Sequence, residues 1–374
     1  MPSLCSVTKS RRLLRSFHSA LMVFGIYQAG APILAARPQS ASSHQVANTP
    51  PKSDGNSKTE YHEDFTVLPL DKNKLTMDTL VLGEKDDSPN SSFVRERWHV
   101  IWRPGDPIDL YVVKPKGVEK PPVIIYLYSF PQDTDRFKEN FWCDYATGGG
   151  YAAVGFVSAV TGQRAELRPL NQNFFNQLPE ALGATVHDIQ MILNYLTERG
   201  DLDMTRVGIL GQGSGGGIAI LASAVDPRIK ALDLLTPWGD WPLFLEKSKM
   251  VPAKERDALT TPDFLKSVSG VDPLDWFPKV KARYVRIENL RGDGHMPDAA
   301  QEKLEDAAPP IAEIDQFGDG FAFYPMAANG RIFSWLKAAL QPDAKPQAAS
   351  EKSERVHYFP PKGDPNPLGL TKSN

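Results

Sequence analysis

Short apolar runs alternate with helical patterns through the middle of the chain. Each run is bounded by polar or turn-forming residues, which is typical of strands buried on both faces. Between the runs the apolar positions recur with a helical period, and the segment 187–196 places them on a single stripe. This alternation predicts an α/β fold, a mostly parallel sheet flanked by helices. The predicted strands cover residues 121–128, 151–157, 206–211, 228–235, 282–290 and 311–317.

Two segments depart from this alternation. Residues 94–102 and 108–113 alternate apolar and polar positions on either side of the turn RPGDP, which predicts an antiparallel hairpin. The alternation of strand and helix patterns stops over residues 241–280. Within this segment TPDFLK predicts the start of a helix, with a threonine as its N-cap and a proline at its first position. We expect this insertion to form a helical cap over the strand ends. Its aromatic residues are Trp241, Phe244, Phe264 and Trp276.

The two ends of the chain differ from its middle. Basic residues precede an apolar stretch and then small residues, which predicts an export signal over residues 1–36, either cleaved or retained as an anchor. Residues 37–60 are polar and aperiodic, which predicts a disordered linker, and residues 341–374 predict a disordered tail for the same reason. The sequence therefore predicts an exported, periplasmic or secreted protein with one α/β domain over residues 61–340.

A glycine-rich turn follows the predicted strand over 206–211 and precedes a helix. Glycines are needed where the backbone bends sharply or where another group approaches it closely. A strand, a glycine turn with a serine and a helix are typical of a nucleophile elbow, which lifts a reactive serine above the sheet. The elbow residues are Gly211, Gln212, Gly213, Gly215 and Gly216.

With this turn, residues from about 90 to 340 resemble the α/β-hydrolase superfamily, in its branch of exported esterase- and peptidase-like enzymes. The strand YLY, the helix ending in NYL, the strand VGILG, the glycine turn, DPRIKALD, the cap, a strand with a Gly-Asp loop and the helix RIFSWLKAAL follow the superfamily's order. The resemblance implies an α/β-hydrolase fold with an N-terminal antiparallel hairpin and a helical cap. It also implies hydrolysis of ester or peptide bonds by a serine, a histidine and an acid.

The site residues differ from the superfamily's pattern. Aligning VGILGQGSGG with G-x-S-x-G puts Gly213 at the nucleophile position, one residue before Ser214. The terminal loop that carries the superfamily's histidine reads GDGF in this chain. A serine without a base in hydrogen-bond reach is a weak nucleophile. The first hypothesis is therefore a degenerate serine triad in a protein that binds a small-molecule or peptide ligand, or a partner, beneath the cap.

A displaced serine site is the second hypothesis, because the loop RGDGHMPD follows the predicted strand over 282–290. Polar loops at the carboxyl ends of strands are where ligand sites gather in open sheets. The loop at Ser129 and Phe130 would supply an oxyanion-hole N–H. The chain would then be an active esterase or peptidase, with Ser214 as nucleophile, His295 as base and Asp293 or Asp240 as acid.

Two further interpretations of the glycines remain open. Gly211, Gly213 and Gly216 also spell G-x-G-x-x-G, and Asp233 lies 20 residues beyond Gly213, the spacing of a dinucleotide-binding turn. Alternatively, the glycines only permit close packing of a helix on a strand.

Composition narrows the choice of function. The 374 residues include 42 Lys and Arg against 45 Asp and Glu, and this near-neutral balance without a basic block argues against nucleic acid as a partner. Cys5 and Cys143 are the only cysteines, so neither a disulfide framework nor a cysteine-based zinc site is expected. We expect no cofactor and no metal, and no membrane association once the signal is cleaved. Cys143 is expected to be a buried packing residue.

Overall fold

The computed structural model describes residues 63–70, 80–103, 105–130, 134–160, 164, 174–328 and 331–361. The predicted export signal and linker, residues 1–36 and 37–60, lie outside the described residues. Within the described ranges, no helix has the length and apolar character needed to span a membrane.

The strands form one mixed sheet in the order β1-β2-β3-β5-β4-β6-β7-β8-β9-β10. Each pair from β1 to β3, and the pair of β3 with β5, is antiparallel. Every pair from β5 across to β10 is parallel. The strands are β1 (Leu80–Asp86), β2 (Phe93–Val100), β3 (Ile108–Pro115), β4 (Pro122–Leu127), β5 (Ala152–Phe156), β6 (Asp203–Gln212), β7 (Ile229–Leu235), β8 (Tyr284–Leu290), β9 (Glu313–Phe317) and β10 (Val356–Phe359).

The sheet confirms the predicted α/β fold and its N-terminal hairpin. The six apolar runs correspond to β4 through β9, and the alternating segments correspond to the antiparallel pair β2 and β3, with Val100 opposite Ile108. Strands β4, β5 and β8 are buried at every residue, which explains their continuous apolar character. Strand β1 adds an edge strand that the pattern did not predict.

The prediction of a disordered tail over 341–374 is wrong for its described part. Residues Val356–Phe359 form β10, which pairs in parallel with β9. The Phe359 ring stacks on the Phe317 ring with 4.6 Å between centroids and an interplanar angle of 10°. The domain therefore extends beyond the predicted limit at residue 340. Only four residues form this strand, polar residues precede it and two prolines follow it, so no hydrophobic period marks it in the sequence.

Helices connect the parallel strands, and the insertion over 241–280 is helical, as predicted. In that insertion Thr261 caps its helix by accepting the Phe264 N–H at 3.4 Å. The helices are α1 (Asn140–Thr147), α2 (Leu178–Arg199), α3 (Ser214–Val225), α4 (Trp241–Lys247), α5 (Arg256–Leu259), α6 (Pro262–Ser269), α7 (Pro273–Trp276), α8 (Asp298–Ala307), α9 (Gly320–Ala328), α10 (Arg331–Ala339) and α11 (Lys352–Arg355). Single 3-10 turns occupy Asp135–Lys138, Phe174–Gln177, Ala253–Glu255 and Phe277–Lys279.

A buried ionic cluster ties the turn before β3 to helix α2 and to Arg164, which follows β5 in the sequence. The Arg164 guanidinium donates to both carboxylate oxygens of Asp106, at 3.0 and 2.6 Å, and to Asp188 at 2.7 Å. Arg103 completes the cluster, 2.7 Å from Asp106 and 3.1 Å from Asp188. Two arginines thus balance two aspartates, and charged groups this deeply buried require such pairing.

A second buried ion pair joins two neighbouring parallel strands. Arg286 on β8 donates to both carboxylate oxygens of Asp233 on β7, at 3.0 and 2.8 Å, and lies 2.8 Å from a carboxylate oxygen of Glu288. All three side chains are within 1% of full burial. Removing the guanidinium would leave two carboxylates in the protein interior without their nearest cation.

We predict that Arg286→Met lowers the free energy of unfolding by about 3–5 kcal/mol, the usual cost of removing one partner from a buried ion pair. Urea unfolding followed by far-UV circular dichroism measures the change. The matched control is Arg283→Met, at an exposed arginine just before the same strand, which is expected to change stability by less than about 0.5 kcal/mol. Equal effects of the two substitutions would contradict a central role for the Arg286 pair.

Candidate functional site

The glycine-rich segment makes a sharp turn between β6 and α3. Gly213 has φ 53° and ψ −116° and immediately precedes the first residue of the helix. Its carbonyl oxygen accepts N–H groups from Gly216 at 3.0 Å, Gly217 at 3.1 Å and Trp238 at 2.9 Å. A positive φ at this point reverses the chain from strand into helix, and glycine adopts it without steric cost. Gly213 is therefore the residue at the apex of the elbow.

Flanking glycines let the helix begin directly against the sheet. A Cβ atom on Gly215 would lie 2.3 Å from the carbonyl oxygen of Leu127 on β4. A Cβ atom on Gly211 would lie 2.7 Å from the carbonyl oxygen of Gly215. These distances are shorter than a side chain tolerates, so both positions require glycine. The packing role that the sequence left open is thus real, and it coexists with the elbow geometry.

The Ser129 side chain already occupies the space that a side chain at position 213 would fill, and Trp238 lies beside it. A Cβ atom built on Gly213 would lie 2.2 Å from Ser129 Oγ and 3.3 Å from Trp238 Nε1. Ser129 comes from the loop after β4, and Trp238 comes from the loop after β7. Three strand ends therefore meet at the apex, as the carboxyl ends of neighbouring parallel strands are expected to do.

The Ser214 hydroxyl faces into the protein rather than into an open cleft. Ser214 is 1% exposed, and its Oγ accepts the backbone N–H of Phe130 at 2.9 Å. Among the described residues, this is the hydrogen bond that the hydroxyl makes, and no histidine takes part in it. Phe130 is one of the two residues predicted to supply an oxyanion-hole N–H, so Ser214 already satisfies that donor.

The predicted base and acid lie together in the loop after β8. His295 Nδ1 is 3.2 Å from Asp293 Oδ2, and the His295 backbone N–H donates to Asp293 Oδ1 at 2.9 Å. The Lys249 side chain donates to the Asp293 carbonyl oxygen at 3.0 Å, which attaches the cap to this loop. The structure thus pairs His295 with Asp293 but gives Ser214 a different hydrogen-bond partner.

The remaining acid candidate, Asp240, has a structural role. It precedes α4, accepts the Leu243 N–H at 3.4 Å and lies 2.8 Å from Lys303 Nζ. Asp240 has φ 52° and Thr236 has φ 43°, so two non-glycine residues with positive φ bracket the loop that carries Trp238. Such strained residues persist only where the surrounding structure holds them.

The terminal loop after β9 carries an aspartate instead of a histidine. Asp319 accepts the Ala322 N–H at 2.9 Å and so caps the start of α9. The structure also argues against the dinucleotide interpretation, which requires Asp233 to bind a ribose hydroxyl. Asp233 is fully buried within β7 and bonded to Arg286, so it is not available to a ribose hydroxyl.

Aromatic residues at the start of the cap form its core and back the elbow. Trp241 and Phe244 are fully buried. The Phe244 ring lies 4.7 Å from the Trp238 ring, measured between centroids. Trp238 therefore links the apex to the cap, a role that sequence reasoning missed. The only signal for it in the sequence was an aromatic residue three positions after a predicted strand. Cys143 is buried, as predicted, and burial raises its pKa to about 11.

Together the sheet order, the crossover helices and the elbow define a protein of the α/β-hydrolase fold. No protein-family model matches the chain, and no curated protein matches its sequence. Solved structures do resemble it. Acetyl xylan esterase from Paenibacillus sp. R4 has a TM-score of 0.54 and 18% identity, covering 67% of this chain and 88% of the esterase.

Two further solved structures have the same architecture. The acylaminoacyl peptidase of Pyrococcus horikoshii has a TM-score of 0.54 and 15% identity, covering 71% of this chain and 44% of the peptidase. The 2,6-dihydroxy-pseudo-oxynicotine hydrolase has a TM-score of 0.51 and 17% identity, covering 68% of this chain and 70% of the hydrolase. At identities this low, the structural similarity establishes the fold alone. It confirms the α/β-hydrolase fold that the sequence resemblance implied.

A buried carboxylate holds the loop between the elbow and the cap. Asp272 accepts backbone N–H groups from Asp240 at 2.9 Å, Trp241 at 2.9 Å and Leu274 at 3.0 Å. Burial raises its pKa from the ordinary 3.8 to about 6, against the lowering effect of these hydrogen bonds.

The raised pKa of Asp272 predicts a pH dependence of stability. The folded state binds more protons than the unfolded state between pH 4 and 6, so the free energy of unfolding should fall as pH rises through this window, by up to about 3 kcal/mol. Asp272→Asn should remove this part of the dependence, whereas Asp275→Asn, at an exposed aspartate on α7, should leave it. Urea unfolding at half-unit pH steps measures both, and a wild-type slope in Asp272→Asn would refute the assignment.

Proposed function

We propose that this chain is a protein of the α/β-hydrolase fold that binds a small-molecule or peptide ligand beneath its cap and has no serine-dependent hydrolase activity. The observation that carries the proposal is Gly213 at the apex of the elbow, with φ 53° and no side chain to act as a nucleophile. The other parts of the elbow, its tight turn and the helix behind it, are intact.

The nearest serines do not compensate for the missing nucleophile. A serine hydroxyl becomes an effective nucleophile when a general base lies within hydrogen-bond reach. Ser214 is buried and its Oγ accepts the Phe130 N–H, and among the described residues its hydroxyl makes no hydrogen bond to a histidine. The names of the similar solved structures, an esterase, a peptidase and a hydrolase, make ester or peptide cleavage the competing expectation.

Aromatic residues beside the apex support a ligand with an apolar part. Trp238 and Phe244 pack against each other beside it, and Phe130 is half-buried at its rim. Pockets that bind small molecules combine aromatic walls with a few polar groups. We take nucleic acid to be excluded as a partner on the charge balance of the chain.

We further propose that residues 1–36 direct export to the periplasm or the medium. Basic residues followed by an apolar stretch and small residues support this proposal. Expression of the full chain in its source cells, followed by fractionation and intact-mass measurement, tests it. We expect an exported protein shortened by about the length of a signal peptide. A full-length protein in the cytosol would contradict the proposal.

The hydrolysis of aryl esters tests the absence of serine chemistry. We predict that purified protein cleaves 4-nitrophenyl acetate and butyrate no faster in wild type than in Ser214→Ala. A displaced serine site predicts the opposite, because removing a nucleophile commonly lowers kcat by several orders of magnitude. Activity in wild type that disappears in Ser214→Ala would overturn the proposed function.

The matched variant restores a serine at the apex. Gly213→Ser should not create an efficient esterase, because the new side chain meets Ser129 and the loop after β9, where the superfamily resemblance places the base, carries Asp319 instead of a histidine. Combining it with Ser129→Gly relieves the contact and isolates the missing base as the cause. High activity in the double variant would contradict the account of the missing base.

A further inference from the structure

A cavity lies at the opposite end of the sheet from the elbow. Its walls come from the amino ends of β6, β7 and β8, from the last residues of α10 and from the segment 341–344. Its volume is about 530 Å³, which is in the range of small-molecule sites. The Tyr284 hydroxyl donates to the Ala344 carbonyl oxygen at 2.7 Å and so holds this segment against the sheet.

Three cationic side chains, those of Arg206, Lys230 and Arg283, line the cavity from three adjacent strands. Val207 on β6 is paired with Ile229 on β7, and the Arg283 backbone N–H donates to the Lys230 carbonyl oxygen at 2.9 Å. Neighbouring strands lie about 4.8 Å apart, so the backbones that carry the three cations lie within about 10 Å of one another. Like charges at this spacing repel unless an anion lies between them.

Among the described residues that line the cavity, Asp203 alone is acidic. Its carboxylate accepts Arg206 Nε at 2.6 Å and the Thr205 backbone N–H at 3.0 Å. Arg206 also donates to the Leu340 carbonyl oxygen at 3.2 Å, which fixes the guanidinium at the cavity wall. Three cations against one carboxylate give the lining a net charge of +2.

The charges of Lys230 and Arg283 are not balanced by the protein. Within the described part of the chain, neither side chain forms an ion pair with a carboxylate. Lys230 Nζ donates to the Pro227 carbonyl oxygen at 2.6 Å, which leaves two of its three N–H groups for another acceptor. Arg283 is exposed and presents the fork of its guanidinium.

A second pair of basic side chains in the same sheet shows the contrast. Arg199 lies 2.6 Å from Glu96 and 2.9 Å from Asp201, and Lys114 lies 3.6 Å from Glu96. Two cations are balanced there by two carboxylates, whereas the lining of the cavity has two positive charges in excess.

We propose that this cavity binds the phosphate group of a small organic phosphate monoester. Such a group carries close to two negative charges above about pH 7, which matches the excess of the lining. Arginine binds phosphate oxygens through two parallel N–H groups, and lysine adds a point charge. Leu340 and Pro342 offer an apolar wall to the organic part of the ligand. A recess of this volume favours a soluble molecule over a membrane surface. The proposal is independent of the chemistry at the elbow.

Isothermal titration of the purified protein at pH 8 and physiological ionic strength tests the proposal. Phenyl phosphate is the probe, and phenyl sulfate has the same shape with one negative charge instead of two. We expect phenyl phosphate to bind with a millimolar or lower Kd, and phenyl sulfate to bind at least about tenfold more weakly.

Single substitutions assign the binding to the cavity. Arg283→Met and Lys230→Met should each raise the Kd of phenyl phosphate by about tenfold, and Arg283→Lys should recover part of that loss. The matched control is Lys266→Met, which removes an exposed lysine of α6 outside the cavity and should leave the Kd unchanged. Circular dichroism establishes that each variant is folded.

Four results would overturn the site. These are no binding of phenyl phosphate to folded wild type, equal binding of the sulfate, a wild-type Kd in both Arg283→Met and Lys230→Met, and an equal loss in Lys266→Met. Sedimentation with phosphatidylcholine vesicles that contain phosphatidic acid distinguishes a lipid phosphate from a soluble one. Vesicle binding that disappears in Arg283→Met would overturn the proposal of a soluble ligand.

Discussion

The close approach of helix α3 to the sheet is the constraint on which the rest of the site depends. Gly215 lies against the Leu127 carbonyl oxygen, and Gly211 lies against the helix itself, so neither position tolerates a Cβ. Because the helix starts this close, the chain must reverse within one residue, and Gly213 does so at φ 53°. The Gly213 carbonyl oxygen then accepts hydrogen bonds from N–H groups of α3 and from the Trp238 N–H. One backbone turn thereby positions the loops after β4 and β7.

The same turn has different consequences with and without a side chain at its apex. In a serine hydrolase an elbow presents a hydroxyl to a base. In this chain the Ser129 side chain occupies the position of a side chain at the apex, and the following serine, Ser214, accepts the Phe130 N–H. The glycines of this elbow pack the helix on the sheet, whereas serine chemistry would depend on side chains that this packing does not require. Fold and activity can therefore separate at this position.

Most of the fold could be predicted from the sequence because buried parallel strands leave continuous apolar runs, as β4 through β9 do. Strand β10 could not, since it has four residues with polar neighbours and its partner β9 is close only in space. At the site, alignment of the glycines predicted Gly213 at the apex. The sequence named Ser129 for its backbone N–H, but the contacts of the Ser129 and Trp238 side chains with Gly213 were missed, because the two residues lie 109 positions apart and meet only after the sheet forms.

The most direct test of the central claim is covalent labelling. The folded protein is incubated with a fluorophosphonate, which reacts with activated serines. Its intact mass is then measured, and any adduct is located by peptide digestion. We expect no adduct on a sample whose circular dichroism shows it to be folded. An adduct on Ser214 would contradict it, because that serine would then be an activated nucleophile and the chain a working hydrolase with a displaced elbow.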